Sequence, residues 1–260
     1  MDRLILSTDD NETYINFFPI VAKAWKKFFD IEVSLAYVTD KDDNHPLVTE
    51  MRKYGEVHLF PVVRGVPTGN QAKMARFFLA GMYGDDVCMV NDIDTAPLST
   101  PYFERVLSQY QPGKLLAVGA EVYNNTPHAG KFPIGEITAT GKLFEQIVNP
   151  AGHEFFTYIN SFKFVNVHDH KENILGYEFS DESLLRVLIE RAGIEVVHAK
   201  RDVDINTEWI DRSWWNIDID KLHSEGYTLV NFLRPLMPHF EDIKPIIDYI
   251  YGETEFKDIF

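Results

Sequence analysis

The run Val87-Cys88-Met89-Val90 ends abruptly in Asn91-Asp92-Ile93-Asp94, and this change of character constrains the fold more than any other stretch of the chain. Four consecutive apolar residues leave no polar face, so the run reads as a strand buried on both sides, as in a parallel sheet covered by helices. Two carboxylates at i and i+2 then stand where the strand leaves the sheet, the end at which ligands collect in open α/β sheets. Like charges this close raise the pKa of one of them unless a cation lies between them. The pair therefore suits a hard divalent ion, Mg²⁺ or Mn²⁺, carrying a diphosphate.

The flanking sequence supplies the rest of such a sheet. Residues 4–7 read as a first strand, followed by Thr8-Asp9-Asp10-Asn11, a polar turn able to cap a helix. Tyr14, Phe18, Val21, Trp25 and Phe28 recur at helical spacing, with Pro19 expected to kink that helix or delay its start. Residues 32–38 and 57–63 read as strands, separated by a loop over 39–46 and a short helix over 47–54. After Gly65, Pro67 and Gly69, a helix over 71–82 leads into the Val87 strand. Strand and helix alternate, which predicts parallel βαβ units with helices on both faces.

The second half is less regular. It reads as a helix from Pro101 to about Tyr110, a strand over 115–120 and a Gly/Pro/Asn-rich passage over 123–135. A helix over 180–191, a strand over 194–198, an aromatic loop over 209–215, a late strand over 227–232 and a terminal helix over 243–251 follow. The segment 240–260, rich in Ile, Tyr and Phe, suits a helix on the core, a contact that makes an oligomer, or the edge of a longer chain.

With 45% hydrophobic residues among 260, the chain can bury one sizeable core, so a single domain over 1–260 is expected. A formal charge of −15 opposes a nucleic-acid backbone as a general partner. The lone Cys88 excludes a disulfide framework and suits a reducing compartment. No apolar stretch reaches the roughly 18 to 20 residues of a spanning helix, so no transmembrane segment and a cytoplasmic location are expected.

Three separated pieces, in order, carry a resemblance. Leu4-Ile5-Leu6-Ser7-Thr8-Asp9-Asp10-Asn11, Lys73-Met74-Ala75-Arg76-Phe77 and Asn91-Asp92-Ile93-Asp94 resemble the opening strand and turn, the Ala-Arg helix and the Asp-x-Asp motif of GT-A fold glycosyltransferases. They are most similar to the retaining lipopolysaccharide galactosyltransferase and glycogenin-like group. The resemblance covers the first half well and the second in outline. It implies an α/β, Rossmann-like, mostly parallel central sheet flanked by helices, with a less regular carboxyl-terminal region. Residues 1–120 would bind the nucleotide sugar and 121–260 would face the acceptor. It further implies hexose transfer, galactose or glucose, from a UDP-sugar to a glycan hydroxyl, with Mn²⁺ or Mg²⁺ as cofactor and retention of configuration.

On this resemblance, Thr8, Asp9 and Asn11 would meet the polar edge of uracil and Tyr14 would stack on the base. The plainer reading of Asp9 or Asp10 is a helix cap. Lys73 and Arg76 offer positive charge to the diphosphate or sugar, or are solvated cations on a helix face. Asp94 would bind the ion most directly, and Asp92 would reach the ribose or share the ion. Phe132-Pro133-Ile134-Gly135-Glu136-Ile137-Thr138-Ala139-Thr140-Gly141 resembles the strand and turn beside the donor sugar, where Gly135 would allow close backbone approach. Ser180-Asp181-Glu182-Ser183-Leu184-Leu185 resembles the group's Asp-Gln-x-x-Leu, so Asp181 and Glu182 are the catalytic candidates. Glu182 stands where the group has Gln, and a carboxylate can act as base or nucleophile where an amide cannot.

The group places a metal-binding His near its carboxyl terminus, ahead of a Lys-Pro-Trp. Here Asn231-Phe232-Leu233-Arg234-Pro235 is the nearest match, so Asn231, His239 and His223 compete as a third metal ligand and Arg234 is a diphosphate candidate. Trp209, Trp214 and Trp215 among Asp211, Arg212 and Asn216 suit either a sugar or core packing.

Two other readings compete. A haloacid-dehalogenase-type phosphatase also carries Asp-x-Asp after an apolar strand. Its motif wants Thr four residues after the first Asp, where Ala96 stands, and it opens its domain. A catalytically inactive carbohydrate- or nucleotide-binding protein on the same fold would keep the acidic pair without turnover.

Overall fold

Leu4 and Leu6 face one core while Ile5, between them, faces another, and all three are fully buried. Only a sheet covered on both sides gives that alternation without a polar face. The computed structural model of the chain describes residues 1–123, 133, 135–162, 181–204 and 206–252; of Asp181 it describes the backbone only. Calls on Phe132, Ile134, Ser180, the Asp181 side chain, most of the passage over 123–135 and the last residues, 253–260, lie outside the described residues.

In chain order come β1 (Arg3–Thr8), α1 (Glu12–Ile15), α2 (Phe18–Phe29), β2 (Glu32–Val38), α3 (Pro46–Met51), β3 (Glu56–Phe60), α4 (Thr68–Met82) and β4 (Val87–Val90). There follow β5 (Thr95–Pro97), α5 (Pro101–Leu107), β6 (Leu115–Val118), β7 (Ile137–Thr140), α6 (Gly141–Val148), α7 (Phe155–Ser161), α8 (Asp181–Ala192), β8 (Val196–Ala199), β9 (Trp209–Asp211), α9 (Ile219–His223), β10 (Leu229–Asn231) and α10 (Phe240–Tyr251).

Seven strands form the main sheet in the order β3-β2-β1-β4-β7-β6-β8. β1 runs parallel to β2 and β4, β2 to β3, and β6 to β8, while β7 runs against both of its neighbours. The fold class is thus the expected one: α/β, with a Rossmann-like, mostly parallel sheet flanked by helices. β1 has β2 on one side and β4 on the other, so the chain reverses its direction of travel across the sheet there. That is the switch point at which the carboxyl ends of two strands open a crevice.

Trp25 of α2 is fully buried, with its ring 4.8 Å from that of Phe103. Ile243, Ile246, Ile247 and Ile250 of α10 are buried in the same core, so this segment serves as a helix on the core. Phe77, Phe144 and Tyr158, from α4, α6 and α7, fill the opposite core. Each such large apolar side chain contributes about 1.5 to 3 kcal/mol by leaving water. Where α6 meets the end of α4, Gly141 is obligatory in volume. A Cβ there would lie 2.5 Å from Gly84 N and 2.7 Å from Ala80 O.

Local differences from the sequence reading have plain causes. α2 starts at Phe18, with Pro19 in its first turn, where a missing N–H costs nothing, so the proline delays the helix rather than kinking it. β3 stops at Phe60 because Pro61 follows. The expected aromatic loop over 209–215 is instead β9 followed by a 3₁₀ turn, Arg212–Trp214; Trp209 and Ile210 are buried and pair with β10.

β5 was not foreseen. It pairs antiparallel with β10, giving a second sheet in the order β5-β10-β9. Residues 91–94 therefore link one sheet to the other. Among the described residues, no helix is long and apolar enough to cross a membrane.

Candidate functional site

The carboxyl ends of β1 and β4 open into one cavity of about 420 Å³, a volume suited to a substrate or cofactor. On the β1 side, the turn after Thr8 is organised by its own side chains. Asn11 caps α1 by accepting from Thr13 N at 3.0 Å. Asp9 accepts from Asn11 N at 3.2 Å and, through its other oxygen, from Thr68 Oγ1 at 2.7 Å. Thr8, Asp9, Asn11 and Tyr14 all line the cavity. Capping and ligand contact are thus compatible for Asn11.

Asp10 turns away toward Thr39 Oγ1, Tyr37 and Lys41. Burial pushes its pKa up, but hydrogen bonds from Lys41, Tyr37 and Thr39 outweigh this and hold it below the ordinary value.

On the β4 side, the two acids differ in setting. The Asp92 side chain is 50% exposed and accepts from Arg76 Nη1 at 2.8 Å. Arg76, on α4, is buried, and the same nitrogen donates to Asn91 O at 3.2 Å. Arg76 is therefore not a solvated surface cation; Lys73, one turn earlier, is exposed and lines the same cavity.

Asp94 is buried, with Arg212 Nη1 2.6 Å and Arg234 Nε 3.3 Å from its Oδ2. Burial and the neighbouring Asp92 charge raise its pKa, against the pull of the two guanidiniums. Arg234 also donates from Nη1 to Tyr14 Oη at 2.7 Å and lies 5.0 Å above the Tyr14 ring. One face of the ring expected to stack on a base is thus already covered by a cation.

A second cavity, about 240 Å³, adjoins the first and shares Asp92, Glu182 and Arg212 with it. Glu182, in the first turn of α8, accepts from the Tyr123 hydroxyl. Glu136 lines this cavity, buried and with φ +67°, a strained conformation for a residue with a Cβ. It accepts from Tyr102 Oη at 2.7 Å, and burial raises its pKa against the opposing charge of Arg201. Arg201 lies 4.6 Å above the Trp209 ring. Trp214 is half exposed at the rim, and a Cβ on Gly135 would stand 3.3 Å from Asn91 Oδ1.

The three candidates for a third metal ligand fare differently. Asn231 borders the second cavity with both ends of its amide engaged: Nδ2 donates to Asp211 at 2.8 Å and Oδ1 accepts from Thr95 at 2.7 Å. His239 lies in a 3₁₀ turn with Nδ1 3.6 Å from Asp242, and His223 sits edge-on to Tyr249; neither lines the two cavities. Among the described residues, no group of three or more His, Cys, Asp and Glu could hold a metal ion.

Among the described residues, the carboxylates offered at the end of β4 are the two of Asp92 and Asp94. That fits Mg²⁺ or Mn²⁺ in the manner of such ions, which take one or two carboxylates and complete their shell with substrate phosphates and water. Arg212 is the residue that sequence reasoning left without a role at the acidic pair. Nothing local marks it, since its partner lies 118 positions away.

No protein-family model matches the chain, and no curated protein matches it. Among solved structures it is similar to the galactosyltransferase LgtC, crystallised in complex with donor and acceptor sugar analogues. The identity is 15%, covering 91% of this chain and 88% of that one, with a TM-score of 0.47.

Proposed function

We propose that this chain is a GT-A fold glycosyltransferase that moves a hexose from a UDP-sugar, galactose or glucose, to a glycan hydroxyl with the help of a divalent ion. The observation that carries the reading is the charge pattern of the first cavity. Asp9, Asp92, Asp94 and Glu182 are balanced there by Lys73, Arg76, Arg212 and Arg234 at the switch point of the sheet. A cavity already neutral favours a ligand whose own charges cancel, and a diphosphate ester together with a divalent cation is such a ligand.

In this reading Thr8, Asp9, Asn11 and Tyr14 bind the nucleoside. Lys73, Arg234 and Arg212 bind the diphosphate through directed, charged donors. Arg76 fixes Asp92 from beneath. When bound to Asp92 and Asp94, the ion stabilises the charge that develops on the leaving diphosphate.

The hexose and its acceptor belong where the two cavities meet, so that Glu182 faces the reacting carbon. Trp214, Trp209 and Asp211 then offer the aromatic faces and hydrogen-bonding groups that a sugar needs. Asp181 remains a catalytic candidate from its place at the start of α8. Retention of configuration is the outcome implied by the sequence resemblance. NMR of the product anomer checks it, and an inverted product assigns Glu182 as the base that deprotonates the acceptor.

The test is to measure UDP release from UDP-galactose and UDP-glucose with Mn²⁺ over a panel of sugar acceptors, beside calorimetric binding of the same donors. Transfer to any acceptor supports the reading. Metal-dependent donor binding without turnover across the panel makes the chain a binding protein on this fold. Absence of nucleotide binding refutes the reading altogether.

A further inference from the structure

Asp94 Oδ2 is contacted by two guanidiniums at once, Arg212 at 2.6 Å and Arg234 at 3.3 Å. The carboxylate is 5% exposed, so it has little room for a further partner. A divalent ion cannot approach this oxygen while both guanidiniums stay, because cations crowded at ion-pair distance in a part-buried site repel strongly.

The two arginines are not equally free to leave. Arg234 is tethered to Tyr14 by a hydrogen bond of 2.7 Å and lies over its ring. Arg212 lies on the short 3₁₀ turn Arg212–Trp214, is 36% exposed, and borders both cavities.

The geometry points to Arg212 as an internal cation that holds the ion's place on Asp94 and is exchanged for it. The inference rests on the nucleotide-sugar reading of the site. When the ion takes the carboxylate, the guanidinium of Arg212 needs another anion, and a diphosphate in the same cavity matches its fork of donors. The ion alone would strand Arg212. With the diphosphate present, each cation has a partner. Binding of ion and diphosphate is therefore coupled through a residue of the chain, and the coupling is reciprocal.

The experiment is a titration of Mn²⁺ into the purified chain, followed through the EPR signal of free Mn²⁺, with and without saturating UDP. UDP titrations by calorimetry, with and without Mn²⁺, run in parallel. Wild type should bind each ligand at least about tenfold more tightly in the presence of the other, by a common factor.

An ion bridging protein and diphosphate would give coupling on its own, so the deciding quantity is Mn²⁺ affinity without nucleotide. R212A should bind Mn²⁺ alone about tenfold more tightly than wild type and show a smaller coupling factor. R212K, which keeps the charge, should bind it less tightly than R212A. K73A removes a positive charge from the same cavity without touching Asp94 and controls for general electrostatics. If R212A gains no more Mn²⁺ affinity than K73A, the exchange is wrong while the nucleotide reading stands. If wild type binds UDP under none of these conditions, both fail.

Discussion

Replacing Arg76 by Met tests whether the acidic pair is held from beneath by a buried cation. The substitution removes the 2.8 Å bond to Asp92 and the 3.2 Å bond to the Asn91 carbonyl. A hydrogen bond to a charged partner is worth about 1.5 to 3 kcal/mol. Asp92 is half exposed, so screening reduces that contribution to about 1 kcal/mol. The Asn91 carbonyl lies in a buried residue, and the loss of this donor there costs about 1 to 3 kcal/mol.

Met fills most of the space left by the side-chain stem, so no large cavity term is added. The sum is a destabilisation of about 2 to 4 kcal/mol, which lowers a urea midpoint by about 1 to 2 M. Four tryptophans make fluorescence the natural probe of unfolding. R76K should recover part of the loss, because both bonds come from the one nitrogen Nη1, which an ammonium can imitate from a shorter stem. In R76M, Asp92 is no longer fixed toward the cavity, so UDP binding in Mn²⁺ should also weaken. An unchanged urea midpoint together with unchanged UDP affinity would refute the role given to Arg76.

Asp94→Asn keeps the size of the side chain and removes its charge; UDP binding in the presence of Mn²⁺ should weaken by about a hundredfold, about 2.7 kcal/mol, and calorimetry that finds wild-type affinity moves the ion elsewhere. Glu136 has a folded pKa raised above its unfolded value of about 4.3, so the folded state holds its proton more tightly. Its contribution to stability therefore falls as pH rises from that value through the folded pKa. E136Q should flatten this decline in urea midpoints measured between about pH 4 and 8, and parallel curves for the two proteins would exclude Glu136 as its source. Gly141→Ala forces a Cβ to within 2.5 Å of backbone at Gly84, so a loss of about 1 to 3 kcal/mol should appear in urea melts, and an unchanged midpoint would refute the need for glycine there.

The main sheet was legible because its strands are buried on both faces, which leaves apolar runs such as Leu4-Ile5-Leu6 and Val87-Cys88-Met89-Val90. Once those strands are parallel, their carboxyl ends coincide, and Thr8, Asp9, Asp92 and Asp94 need no further information to share a cavity. Of the second sheet only β10 was legible, inside the late strand expected over 227–232. β5 and β9 have three residues each, too few to display a period. His239 and His223, which line neither cavity, had as little in the sequence to place them. A lone His near the end of a chain carries no spacing, and Asp242, three residues on, lies near His239 on the local chain.

Yet the small sheet completes the site. Asp94 immediately precedes β5, and its carbonyl accepts from Phe232 N at 2.9 Å, just past β10. β10 in turn pairs Asn231 with Asp211, the residue directly before Arg212. Three short strands thus fix the backbone of the buried acid relative to the backbone of its arginine. Because that backbone is fixed, the exchange at Asp94 must be a side-chain event. On the exchange proposed above, the guanidinium of Arg212 would move between two anions by side-chain rotation, while the strands that Asp94 and Arg212 adjoin hold their backbones.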